Sequence, residues 1–284
     1  MTTATATTVD LSLLDALGAG CPGSVHSVFR TAVNVQRPDG TLWSVVSPRH
    51  PAGPATLGVD IDEPGRGLSP GEPVRLDGQR LALGELSVDL SRAVPRERRV
   101  VTGRPTPAAV VTLRGLIELS GTPGGVIPGT GTSGFGALVG TLVAERLHCL
   151  TDAVGREDLA AATAAAGRLL GLGVGLTPSG DDALVGFAVA CHHLALPIGT
   201  RAVSSAVEAG GTHPISLAAL QAALTGDAVD PLLDLVAAVC APDGAHSPDA
   251  IAAALSALLA IGHTSGTDLA CGVHAAMTIT TDAR

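Results

Sequence analysis

The chain has 284 residues, 46% of them hydrophobic, which is enough to bury the core of one large domain or two smaller ones. It has no lysine and no tyrosine, so a Schiff-base lysine, a P-loop lysine and a tyrosine general acid are all excluded. The net charge of −9 argues against nucleic acid and anionic membranes as partners, since both require a basic protein surface.

Residues 1–95 carry the signals of β-strands and are predicted to form a β-rich N-terminal domain. Residues 25–35 and 41–46 are strand-like and flank a Pro-Asp-Gly turn, while Asp77-Gly78 suits a tight hairpin between two shorter strands. Glycines and prolines punctuate the rest of this region. The pattern indicates a small antiparallel sheet or a partial barrel.

Helical periodicity dominates residues 96–284, which we predict to be a second domain. Apolar residues recur on one face after Asp182 and again within residues 231–240, and Ser247 followed by proline is typical of a helix start. Ser216 is likewise expected to cap a helix. We therefore predict an α+β fold, in which an N-terminal antiparallel β region precedes a larger α-helical region with glycine-rich loops.

The compartment and the cofactors are also constrained by the sequence. Five cysteines without a CxxC spacing indicate a reducing cytoplasm, and the first residues lack the basic and apolar segments of a signal peptide. No apolar run reaches the ~18 residues of a membrane span. The GxGxxG spacing fails after Gly171, because residue 176 is leucine, so no nucleotide or flavin cofactor is indicated. We expect a cytoplasmic protein.

Three segments share a Ser-Gly start and a later glycine: SGFGALVG from Ser133, SGDDALVG from Ser179 and SGTDLACG from Ser265. Each follows a threonine and leads into a helical pattern, which indicates a helix N-terminus. The unpaired N–H groups and positive dipole end of such a terminus suit phosphate or carboxylate, although each segment alone is also explained as a simple cap. The later glycines are expected to let two helices pack closely; they are Gly140, Gly186 and Gly272.

Two adjacent acids, Asp181 and Asp182, exceed what capping needs. Beside a phosphate they would repel it, unless Asp182 and Asp268 hold Mg²⁺ that bridges to the phosphate oxygens. Alternatively, one Asp orients or deprotonates an amide nitrogen. Because adjacent helical residues point about 100° apart, one Asp is expected to face the site and the other a structural partner. Asp182 is the preferred site residue, since the matching position of the third segment is also acidic.

A few other polar residues are candidates. His263 directly precedes the third segment and either belongs to the site or caps the preceding helix. His26 lies at the start of a predicted strand, and Asn34 lies within one, where asparagine is disfavoured. Arg30 is either a surface charge or a bidentate partner for carboxylate or phosphate. The sequence has no HExxH motif and no GxSxG motif, so zinc and serine-hydrolase sites are poorly supported.

The segments HSVFRTAVNV, GLGVGLTPSGDDALVG, THPIS and GHTSGTDLACG resemble, in this order, the domain-of-unknown-function family that contains AllH, a subunit of bacterial oxamate carbamoyltransferase. The resemblance implies a transferase of allantoin catabolism and purine degradation. Its reaction would convert oxalurate and phosphate to oxamate and carbamoyl phosphate. The resemblance also implies phosphate binding and a hetero-oligomer with companion subunits similar to FdrA and AllG.

These considerations define a site hypothesis. The expected catalytic residues are Asp182, Asp181, His263 and His26. The expected substrate-binding residues are Ser27, Arg30, Asn34, Thr177, Ser179, Gly180, Ser216, Thr264, Ser265 and Gly266. Asp182 and Asp268 are the candidate ligands of Mg²⁺. Two alternatives stay open, namely a non-catalytic assembly or effector-binding subunit and another small-anion transferase or lyase of the same family.

Overall fold

A computed structural model of the chain describes residues 2–18, 23–97, 99, 101–127, 135–242 and 247–282. These residues form two compact units, which divide between residues 98 and 99. The first is mainly β-sheet and the second is helical, which confirms the predicted order of a β region and a helical region. None of the described helices is both long and apolar enough to cross a lipid bilayer.

The described part of the first unit contains nine strands, eight of which close into a barrel. The elements are β1 (Thr2–Val9), α1 (Leu11–Gly18), β2 (Gly23–Val28), β3 (Ala32–Gln36), β4 (Leu42–Val46), β5 (Thr56–Val59), β6 (Pro73–Asp77), β7 (Arg80–Leu83), β8 (Leu86–Asp89) and β9 (Val94–Pro95). Hydrogen bonding follows the order β5-β4-β3-β2-β6-β7-β8-β1, and β1 pairs back with β5. β9 pairs with β1 alongside the ring.

The sheet is mixed, so the prediction of an antiparallel region is wrong in part. β1 runs parallel to β8 and β9, and β4 runs parallel to β5. The strand β1 gave no clear signal in the sequence because its inward positions are mostly alanine, which is depleted in strands. The single strand predicted over residues 25–35 is also wrong, since a turn around Arg30 divides it into β2 and β3.

Both predicted hairpins are present, and they position the core of the first unit. β6 and β7 join at Asp77-Gly78, with Asp77 opposite Arg80 and a positive φ of 58° at Gly78. β3 and β4 flank the Pro-Asp-Gly turn. The largest buried side chain inside this unit is Trp43 of β4, which packs with valines and leucines of the neighbouring strands. The hydrophobic effect therefore fixes the register of the sheet.

The second unit is helical throughout its described residues. Its helices are α2 (Pro107–Ser120), α3 (Phe135–Gly155), α4 (Leu159–Leu169), α5 (Ser179–His193), α6 (Pro197–Ala209), α7 (Pro214–Leu224), α8 (Asp230–Val239), α9 (Pro248–Leu259) and α10 (Ser265–Asp282). Ser247 caps α9 as predicted, with its side chain accepting from the Ala250 N–H. The expected cap at Ser216 is wrong, because α7 begins at Pro214 and places Ser216 inside its first turn.

Helix α5 lies at the centre of this unit. Every residue from Gly180 to Cys191 is buried, because α4, α6, α7 and α10 all contact α5. The helix is therefore buried on all sides, whereas the sequence pattern predicted a single apolar face. A hydrophobic helix without a polar face is typical of such a central position.

Helices α5 and α10 cross at two glycines. A β-carbon at Gly186 would overlap the carbonyl oxygen of Leu269, and one at Gly272 would overlap the carbonyl oxygen of Ala183. The predicted packing role of these two glycines is confirmed. Each glycine faces the backbone of the other helix, so the two helices are in close backbone contact. Their N-termini consequently lie together. The start of the first Ser-Gly segment, Ser133 and Gly134, lies outside the described residues, and the rest of that segment begins α3.

Candidate functional site

The N-termini of α5 and α10 lie side by side. The hydroxyl oxygens of Thr177 and Ser265, one from each helix start, are 3.4 Å apart. The loop before α5 reaches this place through two residues with positive φ, Gly173 at 136° and Gly175 at 93°, which only glycine adopts readily. The two glycine-containing loops predicted from the sequence thus meet.

Two carboxyl groups, those of Asp182 and Asp268, are buried at this junction. Asp182 is 8% exposed and Asp268 is 0% exposed. The Oδ1 atom of Asp268 accepts a hydrogen bond from the Val126 N–H at 2.6 Å. The Oδ2 atom of each carboxyl group has no hydrogen-bond partner among the described residues. Unpartnered buried oxygens are costly, so their retention points to a proton, an ion or a ligand that uses them.

Burial raises the pKa of both carboxyl groups. The pKa of Asp182 rises to about 8, mainly by desolvation and further by the charges of Asp268 and Asp181, while the Ser265 hydroxyl opposes the rise. The pKa of Asp268 rises to about 6 by desolvation, opposed by the Val126 N–H and by the hydroxyl of Ser179. Near neutral pH the pair therefore holds one proton, as two interacting acids commonly do.

Each carboxyl group of the pair interacts with a hydroxyl group at the start of the other helix. Ser265 of α10 stabilises the charge of Asp182 on α5, and Ser179 of α5 stabilises the charge of Asp268 on α10. Thr177 likewise lowers the pKa of Asp182, and Thr264 lowers that of Asp268. The similarity between the two sequence segments thus corresponds to matching hydroxyl partners around the two carboxyl groups.

Asp181 has a structural position next to the pair. Its carboxylate accepts hydrogen bonds from the Gly171 N–H at 2.7 Å and from the Thr212 hydroxyl. The matching residue of α10, Thr267, accepts from the Thr122 N–H at 2.9 Å. Both side chains thus hold neighbouring loops against the helix starts, and Asp182 is the acid that faces the partner carboxyl group.

Several predicted binding residues support the loops instead of presenting free groups. Ser216 is buried and donates to the Leu176 carbonyl at 3.2 Å. The N–H groups of Gly180 and Gly266 donate to the carbonyls of Leu172 and Ile261. These two N–H groups are consequently occupied, and the centre of the site presents carboxyl and hydroxyl groups.

Of the remaining predicted residues, one lies in the turn before α10 and four lie in the β unit. His263 is exposed in the turn before α10 and forms no hydrogen bond with the described residues. His26, Ser27, Arg30 and Asn34 belong to the β unit. The structure therefore joins two of the predicted groups, around Asp182 and Asp268.

Three of the predicted residues of the β unit, His26, Ser27 and Asn34, form a polar row. A β-bulge at His26 shifts the register between Val25 and Ser27, which lets consecutive side chains interact. The His26 Nδ1 atom lies 3.2 Å from the Ser27 hydroxyl oxygen, and the Asn34 amide donates to that oxygen at 2.9 Å. The Ser44 hydroxyl donates to the Asn34 carbonyl oxygen at 2.6 Å and completes the row.

The segment GTPGGVI, residues 121–127, was missed as part of the site. It brings the Val126 N–H to Asp268, and a β-carbon at Gly125 would overlap the Asp268 carboxyl group. The segment has several glycines and precedes a helical pattern, as the loop before α5 does, and this signal could have identified it. Thr212 and Ser44 were also missed, and nothing local in the sequence distinguishes them.

The described residues contain no group of three or more His, Cys, Asp or Glu side chains that could hold a metal ion. A cation at Asp182 and Asp268 would therefore need further oxygens from hydroxyl groups, water or substrate. Mg²⁺ is often bound in this way, by one or two carboxylates and the phosphates of a substrate. The pair has the chemistry for such an ion and equally for a shared proton.

The raised pKa values make stability depend on pH. Because the folded pKa of Asp182 lies near 8, above its unfolded value of 3.8, the folded state binds more protons between these limits, and stability falls as pH rises from about 4 to about 8. In the Asp182→Asn variant, the free energy of unfolding should fall by about 2–5 kcal/mol less over this pH range than in the unchanged chain. Urea denaturation at pH 5 and pH 8.5 measures it. The exposed first-turn acid Asp249 provides the control variant, and an unchanged pH dependence in Asp182→Asn would contradict the buried titration.

The chain is similar to one known family along most of its length. The family model described as oxamate carbamoyltransferase subunit AllH matches residues 169–277, and the model described as the AllH family N-terminal domain matches residues 5–97. Together they cover most of the chain. No curated protein and no solved structure matches it. The first matched range contains both carboxyl groups of the pair.

Proposed function

The chain belongs to the AllH family of oxamate carbamoyltransferase subunits, and from this membership we propose that its carboxyl pair transfers protons in the carbamoyl-transfer reaction. The observation that carries the proposal is the approach of Asp182 and Asp268, each with a buried oxygen that lacks a partner among the described residues. Pairs of interacting acids recur in enzymes as proton donors and acceptors.

The proposed reaction needs both a proton acceptor and a proton donor. A phosphate oxygen attacks the terminal carbamoyl carbon of oxalurate, and the bond from that carbon to the internal nitrogen breaks. The electron pair of the broken bond goes to the nitrogen, which takes up a proton as oxamate leaves. The hydrogen phosphate ion loses its proton as carbamoyl phosphate forms. The number of protons is therefore conserved, and their movement is from phosphate to nitrogen.

A pair that holds one proton matches this requirement. Asp182, whose pKa lies near 8, is the group that donates to the leaving nitrogen, and the ionised Asp268 accepts the proton from phosphate. An amide nitrogen leaves poorly as an anion, so protonation by a general acid assists its departure. The hydroxyls of Thr177 and Ser265 can orient the substrate beside Asp182.

Mg²⁺ is the rival occupant of the same pair. In that arrangement Asp182 and Asp268 would hold the ion, and the ion would bridge to phosphate and offset the repulsion between anions. The proton is preferred because the described residues provide only two acidic ligands at this place and hold both in a desolvated setting.

A second candidate is a non-catalytic subunit for assembly or effector binding. The complete burial of Asp268 favours it, and clefts of about 440 Å³ in the described residues are lined by other side chains. In the catalytic proposal, access comes from motion of the adjacent loops or from companion subunits similar to FdrA and AllG. We place this hetero-oligomer in the cytoplasm, in the breakdown of allantoin.

Reconstitution tests the proposed function. The purified chain is combined with its companion subunits, and carbamoyl phosphate formation from oxalurate and phosphate is measured with a coupled carbamate kinase. We expect turnover only when this chain is present, and we expect it to persist when Mg²⁺ is removed from a direct assay of oxamate. Full turnover by the companion subunits alone would favour the assembly role. Loss of the direct reaction on Mg²⁺ removal would favour the metal.

A further inference from the structure

An arginine-lined cleft opens in the β unit, with a volume of about 440 Å³. Arg30 reaches it from the turn between β2 and β3, Arg49 from the segment after β4, and Arg66 from the loop between β5 and β6. Three separate segments thus direct positive charge to one place on a chain whose net charge is −9. Such convergence is unexpected for side chains that merely solvate an acidic surface.

The acids of the cleft leave part of this positive charge available. Asp62 holds Arg49 with both of its oxygens, each at 3.1 Å. The Nη1 atom of Arg30 is 3.9 Å from the nearest oxygen of Glu63, which is beyond hydrogen-bond distance. Arg66 forms no ion pair within the described part of the chain. The cleft therefore combines one oriented guanidinium group with two that can turn toward a ligand.

The backbone fixes the spacing of Arg30 and Arg66. A β-carbon at Gly65 would overlap the carbonyl oxygen of Phe29, so the residues preceding the two arginines are in contact. Each turn is also closed by a backbone hydrogen bond, of 2.8 Å in the first and 3.1 Å in the second. The two arginines consequently start from a rigid base, which reduces the entropy lost when they close on a ligand.

We propose that this cleft binds a small oxyanion, either phosphate or the carboxylate of a short organic acid. Guanidinium groups pair with both through parallel N–H···O bonds, and they stay charged at all relevant pH values. Asp62 orients Arg49, while Glu63 competes with the ligand for Arg30. All the lining residues of the cleft belong to the β unit, so this proposal does not rest on proton transfer by Asp182 and Asp268.

Calorimetric titration of the purified full-length chain tests the proposal, with inorganic phosphate and oxamate as separate probes at low ionic strength. We expect the double variant Arg30→Ala/Arg66→Ala to bind the preferred anion about tenfold or more weakly. Glu63→Gln should bind it more tightly, because the competing carboxylate is gone, and a misfolded variant would not gain affinity. The probe that binds more tightly distinguishes phosphate from carboxylate as the natural ligand.

Arg156→Ala is the matched control, since this exposed arginine pairs only loosely with Asp152, at 4.0 Å, just after α3. Its affinity for the anion should equal that of the unchanged chain. The proposal is overturned if the chain binds neither probe, or if the double variant binds as tightly as the unchanged chain. It is also overturned if Asp182→Asn abolishes binding while the double variant retains it, because the anion would then belong to the carboxyl pair.

Discussion

Replacement of Asp182 by asparagine is expected to lower carbamoyl phosphate formation by the assembled enzyme about 10²–10⁴-fold, the usual contribution of a general acid. Asparagine has nearly the same size and keeps an oxygen for the Ser265 and Thr177 hydroxyls. It cannot, however, donate and recover a proton at neutral pH. Steady-state assays of the reconstituted complex, with oxalurate and phosphate saturating, measure the loss in kcat.

Asp249→Asn is the matched control for this prediction, because Asp249 lies in the first turn of α9 and is exposed. Its turnover should stay within about twofold of the unchanged complex, as expected for a surface position. Asp268→Asn should resemble Asp182→Asn, since the pair acts as a unit. A turnover near normal in Asp182→Asn would refute the proton-transfer role. Recovery of that variant at raised Mg²⁺ would assign the pair to a metal ion instead.

Gly272→Ala is expected to destabilise the helical unit by about 3 kcal/mol or more, at the upper end of what overpacking costs. The added β-carbon would overlap the carbonyl oxygen of Ala183 and crowd the backbone nitrogen of Phe187. Backbone atoms of a central helix cannot move aside as a flexible side chain would. The two helices must therefore separate, and the carboxyl pair at their N-termini separates with them. Thermal unfolding followed by circular dichroism measures the change.

Gly115→Ala is also a glycine-to-alanine substitution, but it is expected to stabilise the protein. Gly115 lies within α2, and a β-carbon there would meet no atom within 4 Å. Alanine is the better helix former, so this variant should be about 0.5–1 kcal/mol more stable than the unchanged chain. Equal effects of the two substitutions would show that the close crossing of α5 and α10 does not limit stability.

The preference for Asp182 over Asp181 illustrates what local geometry allows. Neighbouring helical residues point in different directions, and the acid at the matching position of the third segment favoured Asp182. The structure directs Asp181 to Gly171 and Thr212 and directs Asp182 toward Asp268. The same local reasoning does not decide the role of His263, because a position in sequence next to a helix start does not determine which way the side chain of a turn residue points.

Local sequence patterns were sufficient to predict the order of a β region and a helical region, the hairpin turns and the closely packed glycines of α5 and α10. These features depend on short-range periodicity and on the conformational range of single residues, which neighbouring residues reveal. Three other features are visible only in the folded chain: β1 closes the barrel, residues 121–127 contact Asp268, and the two carboxyl groups share one desolvated place. Those features arise between segments far apart in the chain, where burial and the fields of distant charges act, and no local pattern encodes them.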